Sequence, residues 1–560
     1  MDFRKTASAA LLAIASFCTA CVRIDRQIGT ELIDQSQQFN IEAFETPLED
    51  VSMNFADSLS GYSSTRMVIG AIRDADYGLT TRSSAFTLVP ALDTIDFGTN
   101  PEVVRFRFHV AVDTISVAND NDRYILQNVN VHELTAPLSF SKYGTNDIPA
   151  HSEARITRGV PILGGKDSLA FDFSKEFAKK YLDAVISLEN ADHAIDTSFS
   201  KYTAKLPGII LSVDPPRGEG GRINLLELSC LTANNGQYYR NSNEAVLHIR
   251  STYNGVRKDT TFLFLAGEPM FYDEAEFVNN NQKFYQYAFN GTTHETRNLA
   301  GKAGEKLYIE GGGGLKPVFS ASEIRRKTLE AIQAAGGNPS EVIINKATLE
   351  IPFEEPESYE QYSFFPEVLS PTCCILNDGR ATFAGLTDAS SSTENQGDID
   401  RSNSRFHPDI THHLQELIRL KDESEIHNYD VWFLTVHEEV VVSASSSSYD
   451  SDYYRQLMYA NYYNSLYGDY GYGGYGGYGG YGYGGYGGYG YGGYGGYGYG
   501  YGSNYYSYMM LSALYSSANS NEVNKTQELD KDRFYKVILN GPSAPSGRVP
   551  KLKVTFSVPK

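Results

Sequence analysis

Cysteine is scarce in this chain, with 5 among 560 residues. Exported chains built on disulfides use far more, so a disulfide framework is excluded. The adjacent pair Cys373 and Cys374 is badly placed for a mutual bond. With Cys230 they read as small buried apolar residues; a bridge from Cys230 to one of the pair is the alternative. Positive charge is also short. Lys and Arg total 48 against 68 Asp and Glu, a net of -20. That balance excludes nucleic acid and anionic lipid as partners, since both need clustered cations. Beyond Cys21 no stretch approaches the roughly 20 apolar residues of a spanning helix. Signatures of catalysis are missing too. There is no Gly-x-Ser-x-Gly elbow, no His-Glu-x-x-His pair, and no cysteine in a nucleophile context. A non-enzymatic protein is expected, with no catalytic residue, no cofactor and no metal assigned.

What is present begins at the N-terminus. Arg4-Lys5 is followed by an apolar run from Ala9 to Phe17 and then by Cys18-Thr19-Ala20-Cys21. Two cations, a short apolar core and small residues make a secretory signal. The cysteine after Ala20 makes it resemble a bacterial lipoprotein signal over residues 1–20. On that resemblance Cys21 becomes the first mature residue and is lipidated, which holds the body on a membrane. An ordinary signal cut near Ala20, releasing a free protein, is the alternative. Residues 21–40 read as lipidated cysteine and tether. Surface-exported lipoproteins of the kind this chain resembles often carry an acidic run after the cysteine. Val22-Arg23-Ile24-Asp25-Arg26 is not such a run, so the periplasmic face is expected over the cell surface.

From Ile41 onward the text is strand-like. Val104, Phe106, Phe108, Val110 and Val112 alternate with polar or small residues, which predicts a strand with one face in the core. Val129 and Val131 do the same around Asn128–Leu134. Short strands and turn residues punctuate the rest, so the expected fold is mainly β. It consists of antiparallel β-sandwich-like lobes with a few short helices. The lobes are expected at 41–230 and 231–442. Ser320-Ala321-Ser322-Glu323 has capping-box spacing and Gly336-Gly337 follows, which marks one helix. A second is expected from Thr411 to Leu420. Residues 443–525 form a low-complexity insertion whose centre, Tyr467 to Gly502, is almost pure Tyr and Gly. Such a segment builds no core and is expected to be disordered. The alternating strand Lys551–Val558 closes the second lobe from 526–560, so the tract is an insertion.

Three constellations merit a chemical test. Gly311–Gly314 lies between a strand and a helix, but Leu315-Lys316-Pro317 follows where a phosphate loop needs Gly-Lys-Ser/Thr. A backbone turn is expected. His407, His412 and His413 cluster near Asp409, yet their spacing is not that of zinc ligands on one helix face. Asp74 with Asp76, and Asp120 with Asp122, lack the further acids of a calcium loop and read as turns. The Tyr array is the one feature suited to a ligand: tyrosine rings stack on sugars, and many weak contacts gain by avidity. A tolerated repeat expansion is the other reading.

The order of motifs is familiar. The signal is followed by Ile69-Gly70-Ala71-Ile72-Arg73-Asp74-Ala75-Asp76-Tyr77-Gly78, then Val131-His132-Glu133-Leu134 and Leu307-Tyr308-Ile309-Glu310-Gly311-Gly312-Gly313-Gly314. After these come Ile344-Asn345-Lys346-Ala347-Thr348-Leu349, Val537-Ile538-Leu539-Asn540-Gly541 and Leu552-Lys553-Val554-Thr555-Phe556. Together they resemble the Bacteroidota lipoprotein family that carries domain of unknown function 4270. The resemblance implies envelope localisation and a mostly β fold, and supplies no activity; a lipid-anchored outer-membrane location is expected. Asp57-Ser58-Leu59, Asp93-Thr94-Ile95, Asp113-Thr114-Ile115 and Asp167-Ser168-Leu169 resemble O-glycosylation acceptors of such envelope proteins. The expected role is a structural or accessory subunit of a cell-envelope assembly, with an envelope protein as partner. A carbohydrate-binding lipoprotein is the alternative, with a glycan as partner.

Overall fold

The computed structural model describes residues 38–441 and 524–559, with short breaks of which the longest are 190–198 and 268–287. Strands hold 51% of the interpretable residues and helices 17%, and every pairing between strands is antiparallel among the described residues. The chain is therefore mainly β, as its alternation predicts. No described helix is long and apolar enough to cross a membrane. Cys21 and the Tyr467–Gly502 tract lie outside the described residues.

One lobe is built on a ring of pairings. Gly78–Phe86 and Leu88–Pro90 form one strand broken only at Thr87. Its first part pairs with Arg66–Asp74 and its last with Val256–Ala266. From Arg66–Asp74 the ladder passes to Gly220–Glu227, Thr99–Val117, Glu244–Tyr253 and back to Val256–Ala266. Val129 and Val131, on Gln127–Leu134, join the same core through Ile209–Val213. Helix α1, Lys175–Glu189, was not foreseen. It presents Phe177, Tyr181, Leu182, Val185 and Leu188 to that core. Tyr181 and the Tyr202 of α2, Phe199–Lys205, both hydrogen-bond to the Leu88 carbonyl.

The predicted alternation of Val104–Val112 holds only in part. Phe106, Phe108 and Val110 are buried, but Val104 is 51% exposed. The ladder to Glu244–Tyr253 skips from Arg105 to Val103. One extra residue in a strand flips the side chains beyond it, so Val103 packs on the core in place of Val104.

In the other lobe two sheets share one core. One runs in the order Phe39–Pro47, Lys551–Pro559, Ile343–Pro352, Arg405–Phe406, Ile399–Asp400. The other includes Val51–Phe55, Leu315–Phe319, Val431–Val441 and Val368–Asn377. Leu349, Ile351, Val554 and Phe556 from the first meet Leu369, Val431 and Phe433 from the second. Helix α3, Ala321–Ala334, starts at the predicted cap Ser320 and ends before Gly336, whose φ is 76°. Helix α4, Thr411–Ile418, buries His413, Leu414, Leu417 and Ile418.

The expected boundaries need correction. Strands Glu244–Tyr253, Val256–Ala266 and Ala288–His294 pair within the first lobe, so no division falls at residue 230. Phe39–Pro47 and Val51–Phe55 pair with Lys551–Pro559 and Leu315–Phe319, so the start of 41–230 belongs with the C-terminal lobe. Ladder partners are chosen by open strand edges, and these lie far apart in the chain. The C-terminal strands do close the second lobe. Asn524–Leu529 returns onto Val431–Val441 with Val441 opposite Asn524.

Candidate functional site

A buried polar cluster lies where the lobes meet, and a turn begins it. Asp74 Oδ1 accepts the amides of Asp76 (2.9 Å) and Tyr77 (3.3 Å). The Asp74 carboxylate thus serves a turn, as the sequence suggests. The turn projects Tyr77, only 2% exposed, into the other lobe. Its hydroxyl donates to the carbonyls of Ile309 (3.0 Å) and Val537 (2.5 Å), residues paired with each other.

Gly311–Gly314 forms the other side. Gly314 N donates to Gly311 O at 3.1 Å and Glu310 N to Leu315 O at 3.1 Å, a closed backbone turn. Glycine is required by contact. A side-chain carbon on Gly313 would lie 1.9 Å from Thr145 Oγ1, and one on Gly312, at φ +59°, 2.4 Å from Arg82. Close packing accounts for the glycines of this run, and the turn expected from the sequence is the one observed.

Around the turn sit Arg82, Glu310 and Lys316, each no more than 2% exposed. Glu310 Oε1 accepts Thr80 Oγ1 (2.5 Å) and lies 3.0 Å from His294 Nδ1. Burial raises the Glu310 pKa, but His294 and the Thr80 hydrogen bond outweigh it and hold it below its ordinary value. Lys316 Nζ faces the carbonyls of Glu310, Gly314 and Leu315, and burial pushes its pKa down to about 7 against the pull of Glu310. Arg82 donates to Thr292 Oγ1 and to Lys531 O. Burial lowers its pKa, and the nearby carboxylates of Glu310, Asp532 and Asp530 oppose that. Its Nε and Nη2 meet no acceptor among the described residues. Asp530 accepts Tyr535 Oη, Arg533 Nη1 (3.2 Å) and two backbone amides. Buried charges like these need paired or hydrogen-bonded surroundings. Any substrate would have to part the lobes to reach them. Composition and spacing gave no sign of Arg82, His294 or Asp530; only the glycine run marked the place.

The other residues considered from the sequence do not converge. His413 is buried, its Nε2 is 3.0 Å from Tyr429 O, and burial pushes its pKa down to about 4. The amides of His412 and His413 both donate to Asp388, which caps α4. His407 instead contacts Asn395. Among the described residues no group of His, Cys, Asp and Glu is placed to hold a metal. Asp120 and Asp122 open the turn Asp120–Tyr124, where Asp120 pairs with Arg123. Cys373 and Cys374 are free thiols, and Cys373 Sγ lies 4.0 Å from His413 Nδ1. Cys230 lies outside the described residues. Of the acceptor-like tripeptides, Ser58 is exposed while Thr114 sits in a strand opposite Leu225. A shallow hollow of about 400 Å³ lies between α3 and the turn Glu423–Tyr429, bridged by Arg325 and Glu423 (2.9 Å). No protein-family model, curated protein or solved structure matches this chain.

Proposed function

We propose that the protein is a non-enzymatic outer-membrane lipoprotein, anchored through Cys21, that serves as a structural or accessory subunit of a cell-envelope assembly. The observation that carries this is the Arg4–Cys21 signal placed before a β body that starts at Phe39. The motif order resembling the Bacteroidota family supports it, as does a buried polar cluster committed to joining lobes. The test is crosslinking in intact cells with surface proteolysis in parallel, then mass spectrometry of what co-purifies. A membrane-machinery partner and protection from protease are expected. A free monomer in mild detergent with no partner sinks the reading.

A second reading, glycan binding, has one observation in its favour. Tyr359 is 76% exposed and its ring lies 5.8 Å from that of Tyr362, beside Arg401. Such a face suits a sugar ring. Glycan-array signal that Tyr359→Ala abolishes is expected on this reading, and a blank array with the intact body rejects it.

A further inference from the structure

Five large apolar side chains stand exposed together at one end of the first lobe. Tyr124 is 77% exposed, Leu126 71%, Ile162 57%, Val160 43% and Ile125 36%. Their segments are neighbours. Ile162 pairs with Asn128 and Leu163 with Gln127, and Leu126 Cδ2 lies against Gly164. Scattered apolar residues on a surface need no explanation, but a contiguous patch does.

This tip is held firmly from below. Arg222, 1% exposed, donates to Arg123 O and to Leu163 O (3.2 Å), so one guanidinium clamps both segments. Asn224 accepts from Arg222 Nε (2.8 Å) and donates to Gln127 Oε1 (2.8 Å). The prongs are therefore fixed before any partner arrives, which lowers the cost of docking.

Charge selects the occupant. On their surface the tip segments and the adjoining loop carry Arg123, Arg158 and Arg217 against Asp120, Asp122, Asp214 and Glu219, a local net of -1 on a chain of net -20. A nearly neutral apolar prong is where an acidic body meets an uncharged surface with least repulsion. Its tyrosine among aliphatic residues suits the headgroup boundary of a bilayer. Chain length permits the approach. Seventeen residues, Val22 to Gln38, lie between Cys21 and the first strand, a reach of at most roughly 60 Å.

We propose that this tip rests on a zwitterionic bilayer surface, seating Tyr124, Leu126 and Ile162 among the headgroups. The inference takes from the envelope reading the presence of a bilayer and the tether that brings the body near it, while the contact itself does not use Cys21. The test uses the processed chain, residues 21–560 with Cys21→Ser, which contains every element described here and no acyl chain. It is floated with vesicles of phosphatidylethanolamine and phosphatidylcholine. The parent chain should float, unaffected by high salt, and Leu126→Asp with Ile162→Asp should cut the bound fraction about tenfold or more. A parent that stays soluble, or a variant that floats equally, overturns the proposal. Sedimentation velocity adds another outcome: a dimer lost in the variant with flotation unchanged assigns the tip to a second copy and overturns the bilayer contact. Acylation of Cys21 is read separately, by the mass of the native protein. Its absence there would defeat the anchor while leaving the flotation result standing.

Discussion

Lys316 shows what a single residue contributes. Its ammonium is buried against carbonyls, and burial pushes its pKa from 10.5 to about 7. The unfolded chain therefore binds more protons than the folded one between those values, so this group makes stability rise with pH across that window. The thiols and buried tyrosines act the other way at higher pH; burial raises Cys374, for example, from 9.0 to about 11. The clean interval is thus pH 7 to about 8.5. Urea unfolding of the native chain should gain stability there with a slope approaching about 1 kcal/mol per pH unit. Lys316→Met should flatten the slope, and parallel curves for the two proteins would refute the assignment. In sequence, Leu315-Lys316-Pro317-Val318-Phe319 shows a lysine within an apolar strand. Nothing local says that its charge faces inward, because its neighbours Arg82 and Asp530 lie hundreds of residues away.

At the scale of elements, α3 shows a local signal put to a wider use. Ser320 Oγ accepts Glu323 N at 3.5 Å, as the capping spacing predicts. Glu323 departs from the reciprocal half of that motif. Its carboxylate accepts the amides of Glu49 (3.0 Å) and Asp50 (2.8 Å), while Ser320 N donates to Asp50 O. The helix start thus pins the turn between two N-terminal strands. Glu323→Ala should cost about 2–3 kcal/mol in urea unfolding, because it strands two amides. Ser320→Ala should cost about 1 kcal/mol. Equal costs, or the reverse order, would reject this division of labour. The bulge at Val104 is the same lesson in a strand. Period two was legible, and the face it presents beyond Arg105 was decided by the partner ladder.

For the whole molecule, the decisive pairings join the ends of long excursions. Val441 opposite Asn524 places residues 442–523 at the end of a closed ladder. Loop length costs little once its ends are held. Replacing 442–523 by Asn-Gly should leave the melting temperature within about 3 °C. Loss of cooperative unfolding would instead make that segment part of the fold. Phe39–Pro47 on Lys551–Pro559 likewise joins the two termini of the described body.

The sequence by itself determined the mainly β class, the caps of α3 and the glycine turn. Each of these is written in neighbouring residues, through side-chain alternation, capping and backbone freedom. The tertiary structure alone decided where the lobes divide, which face Val104 takes, and that Tyr77, Arg82, Glu310 and Lys316 share one buried junction. The Tyr77 hydroxyl reaches Val537 across 460 positions of sequence. Such contacts depend on which strand edges and which buried charges find each other after folding, and no local pattern encodes that.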